Sequence, residues 1–280
     1  MSRVALATCL GYNVDPDSPV LMEALAVAGV HADLAVWDDP SVVWDRYDLV
    51  VLRSTWDYSS RRAEFLRWAK GIKHLANPYG VVEYSTDKHY LADLEAHGLR
   101  ILPSHFCDMG KKPRFFDGDF VVKPCVGAGS MDAERYDASE HATALAHVKA
   151  LHKAGRDVLI QPYVDSVDTI GERALIFIDG AFSHALTKGA MLNVTELDRH
   201  QLFRRDQMSP AEGEPDAISF AESVLNAKGF SHLLYARVDL VQIHEEWAVM
   251  ELELVEPSLF LTYEESAATR LAEAIAKRLN

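Results

Sequence analysis

Two stretches near the end of the chain, separated by a short polar turn, hold the densest chemistry. They are Tyr235-Ala-Arg237-Val-Asp239-Leu-Val and Ala248-Val-Met-Glu251-Leu-Glu253-Leu-Val-Glu-Pro-Ser258. Side chains alternate along a strand, so Arg237 and Asp239 share one face of the first, and Glu251 and Glu253 one face of the second. A hairpin centred near Glu245 sets Asp239 opposite Glu251 and Arg237 opposite Glu253. Acids directly opposed on one sheet face repel each other. The neighbours Val238, Leu240, Val249, Leu252 and Leu254 predict a buried face, where crowded carboxylates are costly without a compensating cation. Magnesium suits such a set, because it takes oxygen ligands from one or two carboxylates together with substrate phosphates. A solvated strand face with a simple Arg–Glu pair is the alternative.

Earlier residues offer phosphate handling. Lys123 closes the apolar run Phe120-Val-Val-Lys-Pro, and Val126-Gly127-Ala128-Gly129-Ser130 follows. Glycine lets backbone N–H groups approach phosphate oxygens and the lysine supplies charge; a plain turn after a strand is the other reading. The spacing is neither that of a P-loop nor of the Rossmann fingerprint. Lys88 stands near an expected helix start, which prefers anions. It makes sense there if that terminus holds a phosphate, or if it is merely solvated. In Ile160-Gln161-Pro162-Tyr163-Val164 the proline removes one backbone donor, so neighbouring groups can meet the edge of a flat ligand. Asp168, a little further on, could accept from a ribose hydroxyl or simply face water.

The elements that must position these residues change character along the chain. Strands expected over 4–7, 31–36 and 49–52 alternate with two helices. One is capped by Ser18 with Pro19 at its first position and ends before Gly29; the other covers 61–70 and is stopped by Gly71. This rhythm predicts a parallel sheet, with ligands beyond the carboxyl ends of its strands, where the loops 8–17 and 54–58 lie. Residues 86–164 read as a small α+β unit. A helix capped by Thr86 or Asp87 runs to His97, and a strand over 120–124, a helix over 139–153 and a strand over 158–161 follow. Beyond it, Asp179-Gly180 between 174–178 and 181–187 is a hairpin signal. A polar stretch over 189–216 reads as a functional lid or as disorder. A helix over 216–228, strands over 234–241 and 247–254, and a helix over 266–279 complete an antiparallel unit. The expected organisation is therefore α/β and α+β in three parts, 1–85, 86–164 and 165–280.

Of the 280 residues 49% are apolar and 25% charged, an ordinary globular balance. With 28 basic against 42 acidic residues the net charge is −14, which argues against a nucleic-acid partner but leaves a small phosphorylated ligand open. Cys9, Cys107 and Cys125 are few and far apart, which fits the cytoplasm and excludes a zinc ribbon. The apolar runs are strand-sized, so no membrane-spanning helix is expected, and the run from Val4 to Leu10 reads as a first strand rather than a signal peptide.

Taken in order, these pieces resemble the ATP-grasp superfamily, whose members include D-alanine:D-alanine ligase and glutathione synthetase. The likeness runs over nearly the whole chain. Arg53-Ser-Thr-Trp-Asp-Tyr58, Gly171-Glu-Arg173, Phe182-Ser-His-Ala185, Lys188-Gly189 and Glu253-Leu-Val-Glu-Pro-Ser-Leu-Phe260 are closer in texture to its cyclo-ligases, which form D-cycloserine from O-ureido-D-serine. The resemblance implies an ATP-grasp fold: an N-terminal substrate domain, a central lid subdomain and a C-terminal metal and nucleotide domain. It assigns Lys88 and Lys123 to the α- and β-phosphates of ATP, and Gly127, Ala128, Gly129 and Ser130 to a lid loop. Gln161, Pro162, Tyr163 and Val164 would line the adenine site, with Asp168 on the ribose. Asp239, Glu251 and Glu253 would carry one or two Mg²⁺ (or Mn²⁺). Arg237 would steady the charge on an acyl phosphate and the tetrahedral intermediate, and Lys188 would meet phosphate or the acyl group. The chain departs from the common pattern at Glu253, where many members carry Asn, and at Gln161, where Glu is common.

The resemblance implies chemistry in which a substrate carboxylate takes the γ-phosphoryl of ATP and an amine displaces the phosphate. The substrate pocket is then expected where the N-terminal loops face the late strands. Arg53 is suited to a carboxylate and Asp57 to an amine, or the two form a structural ion pair; Trp56, Tyr58 and Cys9 stand beside them, Cys9 alternatively as an inert buried thiol. The functional expectation is an ATP-dependent carboxylate–amine ligase acting on a small amino-acid-like molecule, as an intramolecular ring closure or as intermolecular amide formation. A nucleotide-binding regulatory module without turnover and a small-molecule kinase are the rivals. No nucleic acid or membrane partner is expected, and a homodimer is possible.

Overall fold

The computed structural model describes residues 2–11, 15–189 and 208–279. It opens with β1 (Arg3–Thr8), α1 (Asp17–Val27), β2 (His31–Val36), β3 (Leu49–Ser54), α2 (Tyr58–Gly71), β4 (Leu75–Ala76), α3 (Tyr79–Ser85) and α4 (Tyr90–Ala96). The four strands form a parallel sheet in the order β2-β1-β3-β4, as the alternation of strand and helix predicts. Two local expectations shift. Ser18 falls inside the first turn of α1 rather than at its cap: Pro16 holds the cap position, and the Asp15 carboxylate ahead of it accepts the Asp17 N–H (3.1 Å) and the Ser18 hydroxyl (3.0 Å). The helix expected from Thr86 or Asp87 to His97 is found as the shorter α4, which starts only at Tyr90, and α3 precedes it as a separate helix. The Lys88 N–H between them donates to the Cys125 carbonyl (2.9 Å), a tertiary bond that takes the place of a helical one.

The central sheet comprises β5 (His105–Cys107), β6 (Phe120–Pro124), β7 (Glu134–Tyr136) and β8 (Val158–Pro162), ordered β5-β8-β6-β7, with α5 (His141–Lys153) between its last two strands in sequence. Alternation divides its residues. Phe120, Val122, Val158 and Ile160 pack against Ala144, Val148 and Leu151 of α5, while Val121, Lys123 and Gln161 face the other way into a cavity.

The remaining elements are α6 (Ser166–Thr169), β9 (Glu172–Ile178), β10 (Ala181–Lys188), β11 (Met208–Ala211), α7 (Pro215–Ala227), β12 (Tyr235–Ile243), β13 (Glu246–Glu253) and α8 (Ala267–Arg278). Their sheet is antiparallel, ordered β11-β10-β9-β12-β13. Asp179 (φ 49) and Gly180 (φ 81) make the expected β9–β10 turn, with two consecutive positive φ values. The stretch expected as a lid falls mostly on residues 190–207, outside the described residues.

The first and last sheets share one core. Val4, Leu6, Leu21 and Leu25 pack with Ala174, Ile176, Leu271 and Ile275. Polar bolts reinforce it. Asn77, fully buried, donates to the Tyr235 (2.9 Å) and Leu254 (2.8 Å) carbonyls and accepts from the Leu234 N–H (3.0 Å). The buried Tyr235 hydroxyl lies 2.8–3.1 Å from the carbonyls of Leu52, Ala76 and Val255. No helix among the described residues is long and apolar enough to cross a membrane.

Candidate active site

The cavity opens where the central sheet faces the ends of β9, β10, β12 and β13, and it holds about 1520 Å³ of non-protein space including its mouth. Lys88, Lys123, Lys188 and Arg237 line it together with Glu172, Glu251, Glu253 and Glu256, and the loop Gly127–Ser130 covers one side.

The strand pairing brings the acids together. Asp239 is opposite Glu251 and Arg237 opposite Glu253, as expected. The turn lies at His244 and Glu245, and a bulge between Asp239 and Leu240 in the pairing corrects the register. That bulge places Met250 beside Glu251 on the cavity wall. Oxygens of Asp239, Glu251 and Glu253 all lie within 4.8 Å of one another.

The acids are nevertheless not bare, and this corrects the expectation that only a divalent ion makes their crowding tolerable. Lys123 Nζ donates to Glu251 Oε1 (2.8 Å), with Lys88 Nζ 3.8 Å away. Arg237 binds Asp239 through Nε (2.9 Å) and Nη2 (3.0 Å), and also contacts Glu253. Lys188 bridges Asp239 (2.8 Å) and Glu172. Fixed cations thus balance most of the fixed acids. Burial penalises the charge on each acid, but Arg237 and Lys188 outweigh it and hold Asp239 below the usual carboxylate range; Lys123 and Lys88 do the same for Glu251. At Glu172 burial wins over Lys188 and pushes the carboxyl up to about 7. At Glu253 burial again raises the carboxyl, with Asp239 and Glu251 adding to the effect.

The donor set suits a hard divalent cation. It is all oxygen, two of its members line the cavity, and each carboxylate retains lone pairs beyond those its basic partner uses. Glu251 and Glu253 face the cavity, whereas Asp239 is 1% exposed and stands behind them.

The nucleotide candidates gather less uniformly. Lys88 Nζ donates to the Gly127 carbonyl (3.3 Å), tying the lysine to the glycine loop. Gln161 lines the cavity with its amide nitrogen on Ser104 Oγ (3.0 Å). Pro162, Tyr163 and Val164 also line it, but the Tyr163 N–H is committed to the Asp119 carbonyl (2.8 Å), so it does not serve as the open donor expected there. Asp168 is not a wall residue; it accepts from the Tyr163 hydroxyl (2.6 Å) and lies 3.6 Å from Arg135.

The expected substrate set divides. Trp56 and Tyr58 line the cavity. Arg53 does not: it is fully buried, donates to the Pro257 carbonyl (3.3 Å), and lies 3.4 Å from Asp15 and 3.5 Å from Asp17. Asp57 bonds Trp37 Nε1 (2.8 Å) and pairs with Arg61, not with Arg53. Cys9 is buried on the Ser54 carbonyl (3.1 Å), and burial pushes its thiol up to about 11, the inert alternative. The apolar approach to Arg53 hid partners that reach it from α1 and from the loop after β13.

Sequence reasoning missed Glu172 and Glu256. Extending the Asp179-Gly180 hairpin without interruption sets Lys188 opposite Gly171; a register shift between Phe182 and His184, which leaves no mark in the sequence, brings Glu172 opposite Lys188 instead. Glu256, on the loop after β13, carries no periodic signal. Burial, reinforced by the Glu253 carboxylate, pushes it up to about 8.

Comparison with known proteins bears on this geometry. Residues 4–77 match the family described as D-cycloserine synthetase DcsG, N-terminal domain. The cycloserine biosynthesis protein DcsG of Streptomyces lavendulae is 39% identical, over 100% of this chain and 99% of that protein. The crystal structure of D-cycloserine synthetase DcsG superposes with a TM-score of 0.88 at 35% identity, covering 100% of both chains. The D-alanine–D-alanine ligase of Bacillus anthracis, crystallised with ATP, reaches 0.70 at 12% identity over 100% of this chain and 97% of that one, a likeness of fold.

Proposed function

The chain belongs to the ATP-grasp ligases, enzymes that use ATP to form a carbon–nitrogen bond, and from that premise we propose that it closes a small amino-acid-like substrate on itself through an acyl phosphate, as in D-cycloserine formation. The observation that carries the reading is the meeting of Glu251 and Glu253 with Lys88 and Lys123 on one cavity, with Asp239 directly behind the two acids. The full-length similarity to a cycloserine biosynthesis protein favours ring closure over joining two molecules.

A carboxylate is a poor electrophile, and phosphorylation gives its carbonyl a leaving group. In the proposed cycle Lys88 and Lys123 exchange their carboxylate and carbonyl partners for phosphate oxygens of ATP. Catalysis then rests on positioning and charge stabilisation. Glu251, Glu253 and Asp239 would hold one or two Mg²⁺, which neutralise phosphate charge and loosen the lysines' hold on the acids. Gly127–Ser130 lies over the phosphates with its N–H groups and keeps water from the reactive ester. Gln161 and the Pro162–Val164 stretch hold the adenine edge, with Asp168 at the ribose rim. Arg237 faces the cavity beside the acid cluster and steadies the oxyanion formed when the substrate nitrogen attacks. Lys188, clamped between Glu172 and Asp239, keeps Arg237 and Asp239 in register. The parts 1–85, 86–164 and 165–280 act as substrate, lid and metal–nucleotide units.

ADP release with ATP, Mg²⁺ and O-ureido-D-serine as sole substrate tests the proposal. A product with the mass of the closed ring and hydroxamate formation on adding hydroxylamine are expected. ADP release only after a separate amine is added overturns ring closure, and a stable phosphate ester insensitive to hydroxylamine overturns the acyl phosphate.

A further inference from the structure

Of the carboxyl groups around the cavity, Glu256 is the one without a basic partner among the described residues. Glu172 has Lys188, Asp239 has Arg237 and Lys188, Glu251 has Lys123, and Glu253 has Arg237. Glu256 is 8% exposed, lines the cavity, and has the Tyr58 side chain as its polar neighbour. The nearest basic groups are occupied: Lys88 by the Gly127 carbonyl, and Arg237 by Asp239, Glu253 and the Ser258 carbonyl (3.0 Å).

The surroundings are built rather than accidental. Trp56 donates through Nε1 to the Glu256 carbonyl (3.4 Å), which fixes the backbone that carries the carboxyl. Ser258, two residues on and on the same wall, has a buried hydroxyl with no hydrogen-bond partner among the described residues. A buried carboxyl and a buried hydroxyl left short of partners are expensive unless something supplies them. Trp56 and Tyr58 come from the loop after β3 and the start of α2, so the N-terminal part supplies this portion of the wall, whereas Lys123 and Gln161 come from the central sheet.

We propose that Glu256, with Tyr58 behind it and Ser258 beside it, is the subsite that receives the α-ammonium of the amino-acid substrate. The assignment rests on the ligase reading above and specifies how that site recognises an amino acid. An ammonium carries three donors and a full charge; placed against Glu256 it supplies the missing counter-ion and reverses the burial penalty that holds this carboxyl up at about 8. Substrate binding then costs the subsite nothing in unpaired charge. A carboxylic acid lacking the ammonium would leave Glu256 as it was and would lose the recognition.

The test compares wild type with Glu256→Gln, which keeps the shape and an acceptor beside Tyr58. O-ureido-D-serine is compared with an analogue in which hydrogen replaces the α-ammonium. Binding is read by thermal shift with Mg²⁺ and a non-hydrolysable ATP analogue present, and turnover by ADP release. Wild type is expected to favour the ammonium-bearing substrate in kcat/KM, mostly through KM. Glu256→Gln is expected to lose about 10- to 100-fold of that preference, the range of a hydrogen bond to a charged group, while the KM for ATP stays within about twofold. A Glu256→Gln enzyme that folds, binds the ATP analogue and discriminates as strongly as wild type overturns the subsite. Wild type that binds the ureido amino acid without releasing ADP breaks the ligase reading alone. The subsite is then decided by whether the binding shift survives in Glu256→Gln, and wild type that binds neither compound overturns it.

Discussion

Asp239 and Glu251 face each other across β12 and β13, and each is held by a lysine from a different sheet position: Lys188 Nζ is 2.8 Å from Asp239 Oδ2, and Lys123 Nζ is 2.8 Å from Glu251 Oε1. The hairpin therefore presents two clamped acids, and the clamps differ in depth. Lys123 comes from the central sheet and lines the cavity, where an incoming phosphate can take it. Asp239 lies behind the wall, held by Lys188 and Arg237 together.

Depth decides what Asp239→Asn does. Read from sequence, the substitution removes a metal ligand from a protein that still folds. In the structure it leaves Arg237 and Lys188 buried with one fewer counter-charge, which costs about 3–5 kcal/mol. The melting temperature is expected to fall by roughly 6–20 °C, with turnover lost as well. Pairing it with Lys188→Met should recover part of the stability and none of the activity. An Asp239→Asn protein that melts with wild type would show that the buried network is not structural.

Nucleotide and metal should stabilise the protein jointly. A non-hydrolysable ATP analogue with Mg²⁺ at about 100 times Kd contributes about 2.7 kcal/mol, which for a chain of this size is roughly 5–10 °C. EDTA should remove most of the shift, because without the ion the phosphates meet Glu251 and Glu253 directly. The Glu251→Gln/Glu253→Gln double variant should lose the metal-dependent increment while the analogue alone still binds. Equal shifts with and without Mg²⁺ would remove the carboxylates from the metal assignment.

How much of this was legible follows from where each partner lies in the chain. Side-chain alternation over a few residues gave Arg237, Asp239, Glu251 and Glu253 in their correct pairs, because a hairpin's register is local. The bulge beside them left no mark in the pattern. Lys123 and the glycine loop were readable as a strand end followed by flexible backbone. Arg53 was misplaced because its partners Asp15, Asp17 and the Pro257 carbonyl are brought in by the packing of three distant segments. Glu256 was missed because a single acid on a loop looks solvated until its burial is known.

Arg53 accordingly belongs to stability, and its neighbours make that stability pH-dependent. Burial, then the charge of Asp15, pushes Asp17 up to about 6 against the opposing pull of Arg53. A carboxyl whose pKa is higher folded than unfolded favours the native state when protonated. Its contribution is complete below about pH 4, the unfolded value, and is lost as pH rises through about 6. Urea midpoints of wild type and Asp17→Asn should therefore converge or cross as pH rises from about 4 to about 6, the variant gaining ground on wild type throughout. A constant gap between the curves would put the strain elsewhere. Arg53→Met should destabilise at every pH by about 3–5 kcal/mol, with the KM for the amino-acid substrate little changed in the folded fraction; a selective rise in KM would return Arg53 to the substrate site.

Gly171 ties backbone geometry to Lys188. It has φ +76, and a Cβ there would stand 2.4 Å from Thr187 Cγ2 and 2.9 Å from the Lys188 carbonyl oxygen. Gly171 immediately precedes Glu172, and Glu172 pairs across the hairpin with Lys188, so the glycine lets both partners of that ion pair approach. Gly171→Ala should shift the Lys188 backbone and with it the clamp on Asp239. A displacement on the order of 1 Å can cost about 100-fold in rate. Gly180→Ala is the comparison, since its Cβ would meet the Ser231 carbonyl oxygen at 2.0 Å, in the turn at the far end of the same hairpin. Both variants should lose stability, each from forcing a side chain into a left-handed, crowded position. Only Gly171→Ala should also lose kcat per folded molecule, measured below its melting temperature with folded protein quantified by bound ATP analogue. Equal specific activity in the two would mean that the position of Lys188 does not limit the reaction.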